Sequence, residues 1–218
     1  MVLLAAAASA ESINIDFGQP DNAPPASYAA AGRAGVWNAL VAPNGSTTID
    51  LLDVDGDVTD VSVRQLGGTA TLTVDDPTTL GEDSLLLDDY LVTFNAQIES
   101  CLFFENVDPG LYEVLLYAWM PLQPAVLSYT NIDQEDDNPH YEVGGAWTGE
   151  HTELVTYSRH IVEVGANGIL NMHSGIVPAA DPQLGAALNA MQFRPLAELF
   201  SDGFESGDTA AWSATVPN

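Results

Sequence analysis

The sequence predicts an all-β protein, and three observations support this prediction. Short runs rich in β-branched and aromatic residues recur between residues 12 and 196, and clusters of Gly, Pro, Asn and Asp separate them. No stretch sustains the 3.6-residue period of an amphipathic helix. With 46% hydrophobic residues in 218, the chain can fill a packed core. Strands at this spacing are typical of a β-sandwich or a β-barrel.

The first part of the chain contains a series of predicted strands, each followed by residues that favour turns. They are INIDF before Gly18, GVWNALV before Pro43, STTIDLLDV before Asp55, VTDVSVRQL before Gly67 and TATLTV before Asp75. Later runs of the same character are YLVTFNAQIESCLFFENV, LYEVLLYAWM, ELVTYSRHIVEV, GILNMHSGIV and ALNAMQFRPL. The pattern allows at most a short helix, within GEDSLLLDDYL.

Asp108, Pro109 and Gly110 stand between two long apolar runs, and we predict a β-hairpin with its turn here. In the second arm, LYEVLLYAW, alternate residues point to opposite faces, and both faces are largely apolar. We therefore expect a central strand with one face against the opposing sheet. The other face is either covered by a loop or lines a groove in which Tyr117 and Trp119 are partly exposed.

Segment 130–149, TNIDQEDDNPHYEVGGAWTG, is the longest polar stretch between predicted strands. It is too acidic for a core and too long for a tight turn, so we expect a surface loop. Loops of this length often carry function.

The chain carries 31 acidic residues and four arginines, and its net charge is −27. Such a surface repels the phosphates of nucleic acids and the headgroups of anionic lipids, which makes both poor partners. Two explanations of the charge stay open: solubility, or the binding of divalent cations by local clusters.

Cys101 is the only cysteine, so the sequence predicts neither an internal disulfide nor a cysteine-rich zinc site. Its neighbours in IESCLFFEN are apolar and predict a buried, unreactive thiol. The histidines form no HxH or HExxH motif and predict no zinc site. They are His140, His151, His160 and His173.

Residues 1–10, MVLLAAAASA, form a short apolar run that ends in the small-residue pattern Ala8-Ser9-Ala10. We interpret it as the remnant of a signal peptide without its basic residues, and a first strand is the alternative. With a signal peptide, the mature protein begins near Glu11 and is secreted or held at the cell surface. No other apolar run reaches the ~20 residues of a membrane-spanning helix, so no transmembrane segment is predicted.

Several segments resemble, in order, a known group of domains: INIDFG, AGVWNAL, LLDVDGDVTDVSV, VDPGLYEVLLYAW and LNAMQF. Together they resemble the galactose-binding-like jelly rolls of secreted bacterial proteins, as in malectin-like and carbohydrate-binding modules. We assign residues 11–196 to this domain. The resemblance implies an antiparallel jelly-roll β-sandwich, a role in sugar binding or adhesion and, often, a structural calcium ion. A fold by itself does not determine function.

The tail, residues 197–218, contains the string FSDGFESGDTAAWS. It resembles the C-terminal DGFESGDTSAWS-type tail of many otherwise unrelated secreted bacterial proteins. The resemblance implies a sorting or attachment element that separate machinery recognises. The alternative is a last strand that packs on the edge of the sandwich.

Asp53, Asp55, Asp57 and Asp60 are spaced like the oxygen ligands of a calcium ion. They do not form an EF-hand, because the glycine and the glutamate that its loop requires are missing. A structural calcium site is one interpretation. The other is a hairpin turn through residues 55–57, which Asp and Gly favour without a metal.

Candidate ligand-binding residues lie at predicted strand ends or in segment 130–149: Trp37, Asn38, Tyr117, Trp119, Tyr141 and Trp147. Aromatic rings pack on the C–H groups of sugars, and amides or carboxylates bind the hydroxyls. Packing inside the protein is the alternative role of each ring. Trp147, between glycines in GGAWTG, is the residue that we most expect to be exposed.

The leading hypothesis is a non-catalytic extracellular module that binds glycan or anchors the protein to surface polysaccharide. A structural or adhesive surface protein without a small-molecule site is the alternative. A glycan-active hydrolase is a third hypothesis with less support, because no GxSxG motif is present and no carboxylate pair can be selected from 31 acids. We therefore predict no enzyme activity and, as cofactor, a structural Ca²⁺ ion.

Overall fold

The computed structural model describes residues 10–41, 48–68, 70–94, 99–177 and 185–196. The helix α1 (Glu82–Leu87) lies in the segment where the sequence allows a short one. The strands are β1 (Ile13–Asp16), β2 (Trp37–Ala39), β3 (Thr48–Leu52), β4 (Val58–Leu66), β5 (Ala70–Thr73), β6 (Asp89–Thr93), β7 (Ser100–Glu105), β8 (Gly110–Tyr117), β9 (Ser128–Ile132), β10 (Tyr141–Val143), β11 (Tyr157–Val164), β12 (Leu170–Ile176), β13 (Ala186–Leu188) and β14 (Ala190–Pro195).

These strands form three sheets. The five-stranded sheet has the order β11-β8-β14-β1-β2, and the six-stranded sheet has the order β10-β9-β12-β7-β4-β3. The three-stranded sheet has the order β13-β6-β5. Neighbouring strands pair antiparallel, except that β1 and β2 pair parallel. This architecture confirms the predicted all-β, antiparallel jelly-roll β-sandwich.

The two larger sheets pack face to face around the main hydrophobic core. Ile13, Ile15 and Phe193 come from the five-stranded sheet, and Leu102 and Phe104 come from the six-stranded sheet. The rings of Phe104 and Phe193 meet edge to face, with centroids 5.5 Å apart. Side chains alternate along a strand, so every second residue of these strands faces this core.

The hairpin predicted at residues 108–110 is wrong. β7 lies in the six-stranded sheet, between β12 and β4, whereas β8 lies in the five-stranded sheet, between β11 and β14. The turn therefore carries the chain from one sheet to the other. The hydroxyl of Tyr112 stabilises this crossing, because it donates to the carbonyl of Asp108 at 2.9 Å. Turn residues predict a change of direction, but strand pairing depends on contacts with distant segments.

The strand β8 is buried on both faces, as predicted for a central strand. Tyr112 and Leu116 face the main core. Leu115 and Tyr117 point to the outer side of the five-stranded sheet. There, α1 and the loop of residues 18–36 cover them and form a second core. Of the two alternatives for this face, coverage by a loop is the one that the structure shows.

Segment 130–149 differs from its prediction as a continuous surface loop. It contains β10, which pairs antiparallel with β9, so that Tyr141 lies opposite Thr130. The acidic turn between these two strands stays at the surface, with Asp136 and Asp137 exposed. The segment therefore consists of the paired ends of β9 and β10 together with loops.

Among the described residues, no helix is long and apolar enough to cross a membrane, and α1 has only six residues. Apart from Ala10, the predicted signal-peptide remnant lies outside the described residues, and so does the tail of residues 197–218. Both assignments, and the limits of the 11–196 domain, stay predictions.

Candidate functional site

An aromatic cluster lies on the outer side of the five-stranded sheet, at the end of β8. Its members are Tyr28, Tyr117, Trp119, Trp147 and His151. His151 is central, because its ring centroid lies 5.2 Å from that of Tyr117 and 5.4 Å from that of Trp147. The Trp119 and Trp147 rings lie 6.3 Å apart. Three segments that are distant in sequence meet here.

Two hydrogen bonds hold Trp119 in place within this cluster. The indole N–H of Trp119 donates to the carbonyl of Gly145 at 2.8 Å. The backbone N–H of Trp119 donates to the side chain of Asn189, also at 2.8 Å. The bond to Gly145 ties the segment between β10 and β11, which carries Trp147, to the end of β8.

A short chain of polar contacts runs through the cluster. The Tyr28 hydroxyl donates to a carboxylate oxygen of Asp83 at 2.6 Å. The same hydroxyl lies 2.7 Å from Nε2 of His151, whose Nδ1 lies 3.4 Å from the hydroxyl of Thr156. Because Tyr28 uses its proton on Asp83, Nε2 of His151 carries the proton that bonds the Tyr28 oxygen.

Burial controls the charge of these groups. It lowers the pKa of His151 to about 4, and the nearby Asp83 carboxylate opposes this shift only in part. Burial, with the bond to Asp83, raises the pKa of Tyr28 above its usual range. Both groups are therefore neutral near pH 7. Asp83, whose side chain is 32% exposed, presents a carboxylate to solvent.

Tyr117 and Trp119 do not line an open groove. Their exposed fractions are 0% and 1%. The Tyr117 hydroxyl donates to Gln192 at 2.6 Å and accepts the backbone N–H of Ala31 at 2.8 Å. Of the two alternatives for these residues, coverage by a loop is confirmed and the partly exposed groove is wrong, because two loops cover the end of β8. Trp147 is half-buried, and so less exposed than expected.

Trp37 and Asn38 lie next to each other on β2 and make structural contacts. Trp37 is 6% exposed, and its indole N–H donates to the carbonyl of Tyr28 at 3.2 Å. Asn38 donates to the carbonyls of Asn14 and Leu52 and accepts the N–H of Leu52. The two residues also line a shallow depression of about 380 Å³ at the edge of the sheet. A ligand-binding role for them stays a prediction.

Tyr141 lies outside the aromatic cluster, on β10, with its ring 4.9 Å from that of His160. Nε2 of His160 lies 2.9 Å from the Ser158 hydroxyl, and Nδ1 lies 2.5 Å from a carboxylate oxygen of Glu135. Serine, histidine and an acid in this order can form a catalytic triad. Ser158 and His160 are, however, 0% exposed, so the serine is closed to a substrate in this structure. Burial also lowers the pKa of His160, against the effect of Glu135.

The four aspartates predicted as calcium ligands lie in and beside the turn of the β3–β4 hairpin. One oxygen of Asp53 accepts the backbone N–H groups of Asp55 and Asp57, each at 2.9 Å. This stabilises the turn without a metal, as the hairpin interpretation predicts. Within the described ranges, the four aspartates do not bring three carboxylate oxygens within 4.8 Å of one another. Calcium binding by them stays a prediction.

Three side chains on the outer side of the six-stranded sheet could hold a metal ion: Glu99, Cys101 and His173, with ligand atoms within 4.8 Å of one another. Nδ1 of His173 lies 3.2 Å from Sγ of Cys101 and 3.3 Å from a Glu99 oxygen. Nε2 of His173 lies 3.2 Å from an Asp133 oxygen. The hydrogen bond with Cys101, supported by Asp133, raises the pKa of His173 to about 9.

Local sequence patterns do not predict this group, because its members are far apart along the chain. Cys101 on β7 and His173 on β12 are direct cross-strand partners, and only this pairing brings them together. Cys101 is half-buried and has a polar partner, so the predicted burial of its thiol is wrong. The one signal in the sequence is the alternation of side chains along a strand. Leu102 and Met172 face the core, so their neighbours Cys101 and His173 point to the opposite side of the sheet.

Comparison with known proteins gives distant structural matches. No protein-family model matches the chain, and no curated protein matches it significantly. A β-glucuronidase from Bacteroides uniformis is similar at 12% identity and a TM-score of 0.49, over 84% of this chain and 18% of that protein. The plant receptor-like kinase ANX2 is similar at 13% identity and a TM-score of 0.49, over 85% of this chain and 47% of that one.

The extracellular domain of ANXUR1 from Arabidopsis thaliana is similar at 14% identity and a TM-score of 0.45, over 85% of this chain and 47% of that one. This chain thus spans less than half the length of each of the three proteins. Likeness at this level says nothing about function, which has to be argued from the residues themselves.

Proposed function

We propose that this chain is a non-catalytic carbohydrate-binding module that works outside the cytoplasm, with its site at the exposed edge of the aromatic cluster. The supporting observation is the position of Trp147 and Asp83. Both are partly exposed, and both contact His151. The Trp147 ring centroid lies 5.4 Å from that of His151, and an Asp83 oxygen lies 3.5 Å from its Nε2. The Trp147 ring and the Asp83 carboxylate therefore both lie next to His151.

This pairing suits the chemistry of a sugar. One face of a pyranose ring carries C–H groups that pack on an indole, and its hydroxyls donate hydrogen bonds to a carboxylate. Tyr28 fixes one oxygen of Asp83, and the carboxylate keeps acceptor capacity for a ligand. Trp119 and His151 support the Trp147 ring, so little side-chain entropy is lost when a ligand binds.

The charge of the protein favours neutral sugars as ligands. The net charge of −27 repels polysaccharides rich in uronic acid or sulfate. Arg159 and Arg194 both bind the buried carboxylate of Glu113. Arg64 lies over the ring of Phe103, 5.5 Å from its centroid. These three cations are engaged in contacts with other residues, which reduces their attraction for an acidic sugar.

The placement of the reactive groups supports binding rather than catalysis. Ser158 and His160 are enclosed, and the side chain of His151 is only 7% exposed. A hydrolase would require a reactive group in contact with its substrate. A structural or adhesive protein without a small-molecule site stays the alternative. Export of the chain, and a sorting role for residues 197–218, belong to this proposal, because a surface glycan is reached only outside the cytoplasm.

Retention on insoluble neutral polysaccharides tests the proposal. We expect the protein to be retained by at least one of cellulose, chitin, xylan and mannan. Trp147→Ala should weaken binding roughly tenfold or more, the loss of one good contact, and Asp83→Asn should weaken it less. Phe103→Ala is the matched control, because Phe103 is a half-buried aromatic on the outer side of the other large sheet, and it should bind like the wild type.

A melting curve of each variant verifies that the fold is kept. The proposal fails if no neutral polysaccharide retains the protein, which would favour the structural or adhesive alternative. It also fails if Trp147→Ala and Asp83→Asn bind as the wild type does, since the ligand would then bind elsewhere.

A further inference from the structure

Asp16 and Asp89 are two buried carboxylates that the site described above does not use. Asp16 ends β1 and Asp89 begins β6, so the pair lies where the five-stranded sheet meets the three-stranded sheet. Their exposed fractions are 0% and 1%. Asn189 joins the two strands here: its carbonyl accepts the N–H of Phe17 at 2.9 Å, and its side chain donates to the Asp89 carbonyl at 3.2 Å.

The carboxylate oxygens of this pair lack partners. Neither oxygen of Asp16 has a hydrogen bond, and Oδ1 of Asp89 has none. Oδ2 of Asp89 accepts one long bond, 3.3 Å, from the side-chain amide of Asn22. Within the part of the chain that the structure describes, no ion pair reaches either aspartate. A buried carboxylate is strongly destabilising unless a cation or several donors compensate it.

The two side chains converge on one place. An atom at the Cβ position of Gly18 would lie 2.8 Å from Oδ2 of Asp16 and 2.5 Å from Oδ2 of Asp89. Both distances are shorter than van der Waals contact, so a larger residue does not fit there. Glycine thus keeps the chain clear of the space into which both carboxylates point.

A single shared proton does not satisfy this arrangement. It would join one oxygen of Asp16 to one oxygen of Asp89, leaving one negative charge and at least one of the three partnerless oxygens. A divalent cation balances both charges and takes all of these oxygens as ligands. Because the donors are oxygen atoms, they select a hard ion such as Ca²⁺ rather than Zn²⁺.

We propose that Asp16 and Asp89 bind a structural Ca²⁺ ion, with the side-chain oxygen of Asn22 as a third ligand once its amide is turned. The ion joins β1 to β6, and through Asn22 it fastens the start of the 18–36 loop. The site is separate from the acidic turn of the β3–β4 hairpin. The proposal of a Ca²⁺ site also does not depend on whether the protein binds carbohydrate.

Calcium titration of the chelator-treated protein tests this site. Calorimetry should show one saturable high-affinity ion for each chain, and Ca²⁺ should raise the melting temperature, because it binds the folded state alone. Asp16→Asn should bind Ca²⁺ roughly tenfold or more weakly. In chelator, this variant should be at least as stable as the wild type, because it removes one of two charges that repel each other.

Asp55→Asn is the matched control, because it removes an exposed carboxylate of the acidic turn, and it should keep the wild-type response to Ca²⁺. The proposal is overturned if the chelator-treated wild type does not respond to Ca²⁺, if Asp16→Asn keeps the response, or if Asp55→Asn loses it. Should Asp16→Asn fail to fold, Asp89→Asn takes its place with the same expected loss. A stronger effect of Mg²⁺ than of Ca²⁺ in a parallel titration would contradict the choice of ion.

Discussion

The outer sides of the two large sheets differ in what covers them. On the five-stranded sheet, α1 and the 18–36 loop bury Leu115 and Tyr117 in a second core. On the six-stranded sheet, Cys101, Phe103 and His173 stay half-buried. Both faces carry aromatic residues, so composition alone does not distinguish them. The covering segments decide whether such a face becomes an interior or a surface.

The pKa values of two histidines reflect the same difference between the two faces. His151, enclosed by the rings of the aromatic cluster, has its pKa lowered to about 4 by burial. His173, which contacts Cys101, Glu99 and Asp133, has its pKa raised to about 9, chiefly through the bond with Cys101. Desolvation dominates on the covered face, and polar partners dominate on the open one.

The largest expected effect is that of Trp119→Ala on the covered face. It removes a ring that is 1% exposed and leaves the Gly145 carbonyl without its donor, so the free energy of unfolding should fall by about 3–5 kcal/mol. Trp147→Ala, at the exposed edge of the same cluster, should cost about 1 kcal/mol. Denaturant unfolding measures both. Equal costs would mean that the two rings are equally covered, and the comparison would fail.

The next effect is a pH dependence from His151. Its pKa is about 4 in the folded protein and 6.5 ordinarily, so the unfolded chain binds the proton first as the pH falls. The stability contributed by neutral His151 is complete above pH 6.5, decreases as the pH is lowered and is lost below pH 4, a change of about 3 kcal/mol. His151→Gln should lack this component. Parallel pH profiles for the two proteins between pH 7 and pH 4 would contradict the prediction.

A smaller effect than that of Trp119→Ala or of His151 protonation is expected on the open face. Phe103→Ala removes a half-buried ring that contacts Arg64 and His173, so the free energy of unfolding should fall by about 1–2 kcal/mol. Denaturant unfolding beside Trp119→Ala gives the direct comparison. A loss as large as that of Trp119→Ala would show that this face is covered as completely as the other.

Features that depend on neighbouring residues could be predicted from the sequence. The strand and turn pattern, the short helix and the turn at residues 55–57 all follow from local preferences. The burial of β8 on both faces follows from its apolar alternation. The turn at residues 108–110 was predicted correctly as a turn but wrongly as a hairpin, because the partner strands of β7 and β8 come from distant parts of the chain.

The candidate sites show the same limit. Trp147 was selected because glycines flank it, and it is partly exposed, whereas the burial of Tyr117 and Trp119 depends on loops that a local pattern does not place. The sequence by itself determined that this chain forms β-strands, carries a strongly negative charge and contains aromatic residues near the ends of its strands. Only the tertiary structure decided which rings are enclosed, and which acids, such as Asp16 and Asp89, meet across 73 residues. The reason is physical: burial and charge depend on neighbours in space, and pairing between sheets sets those neighbours independently of distance along the chain.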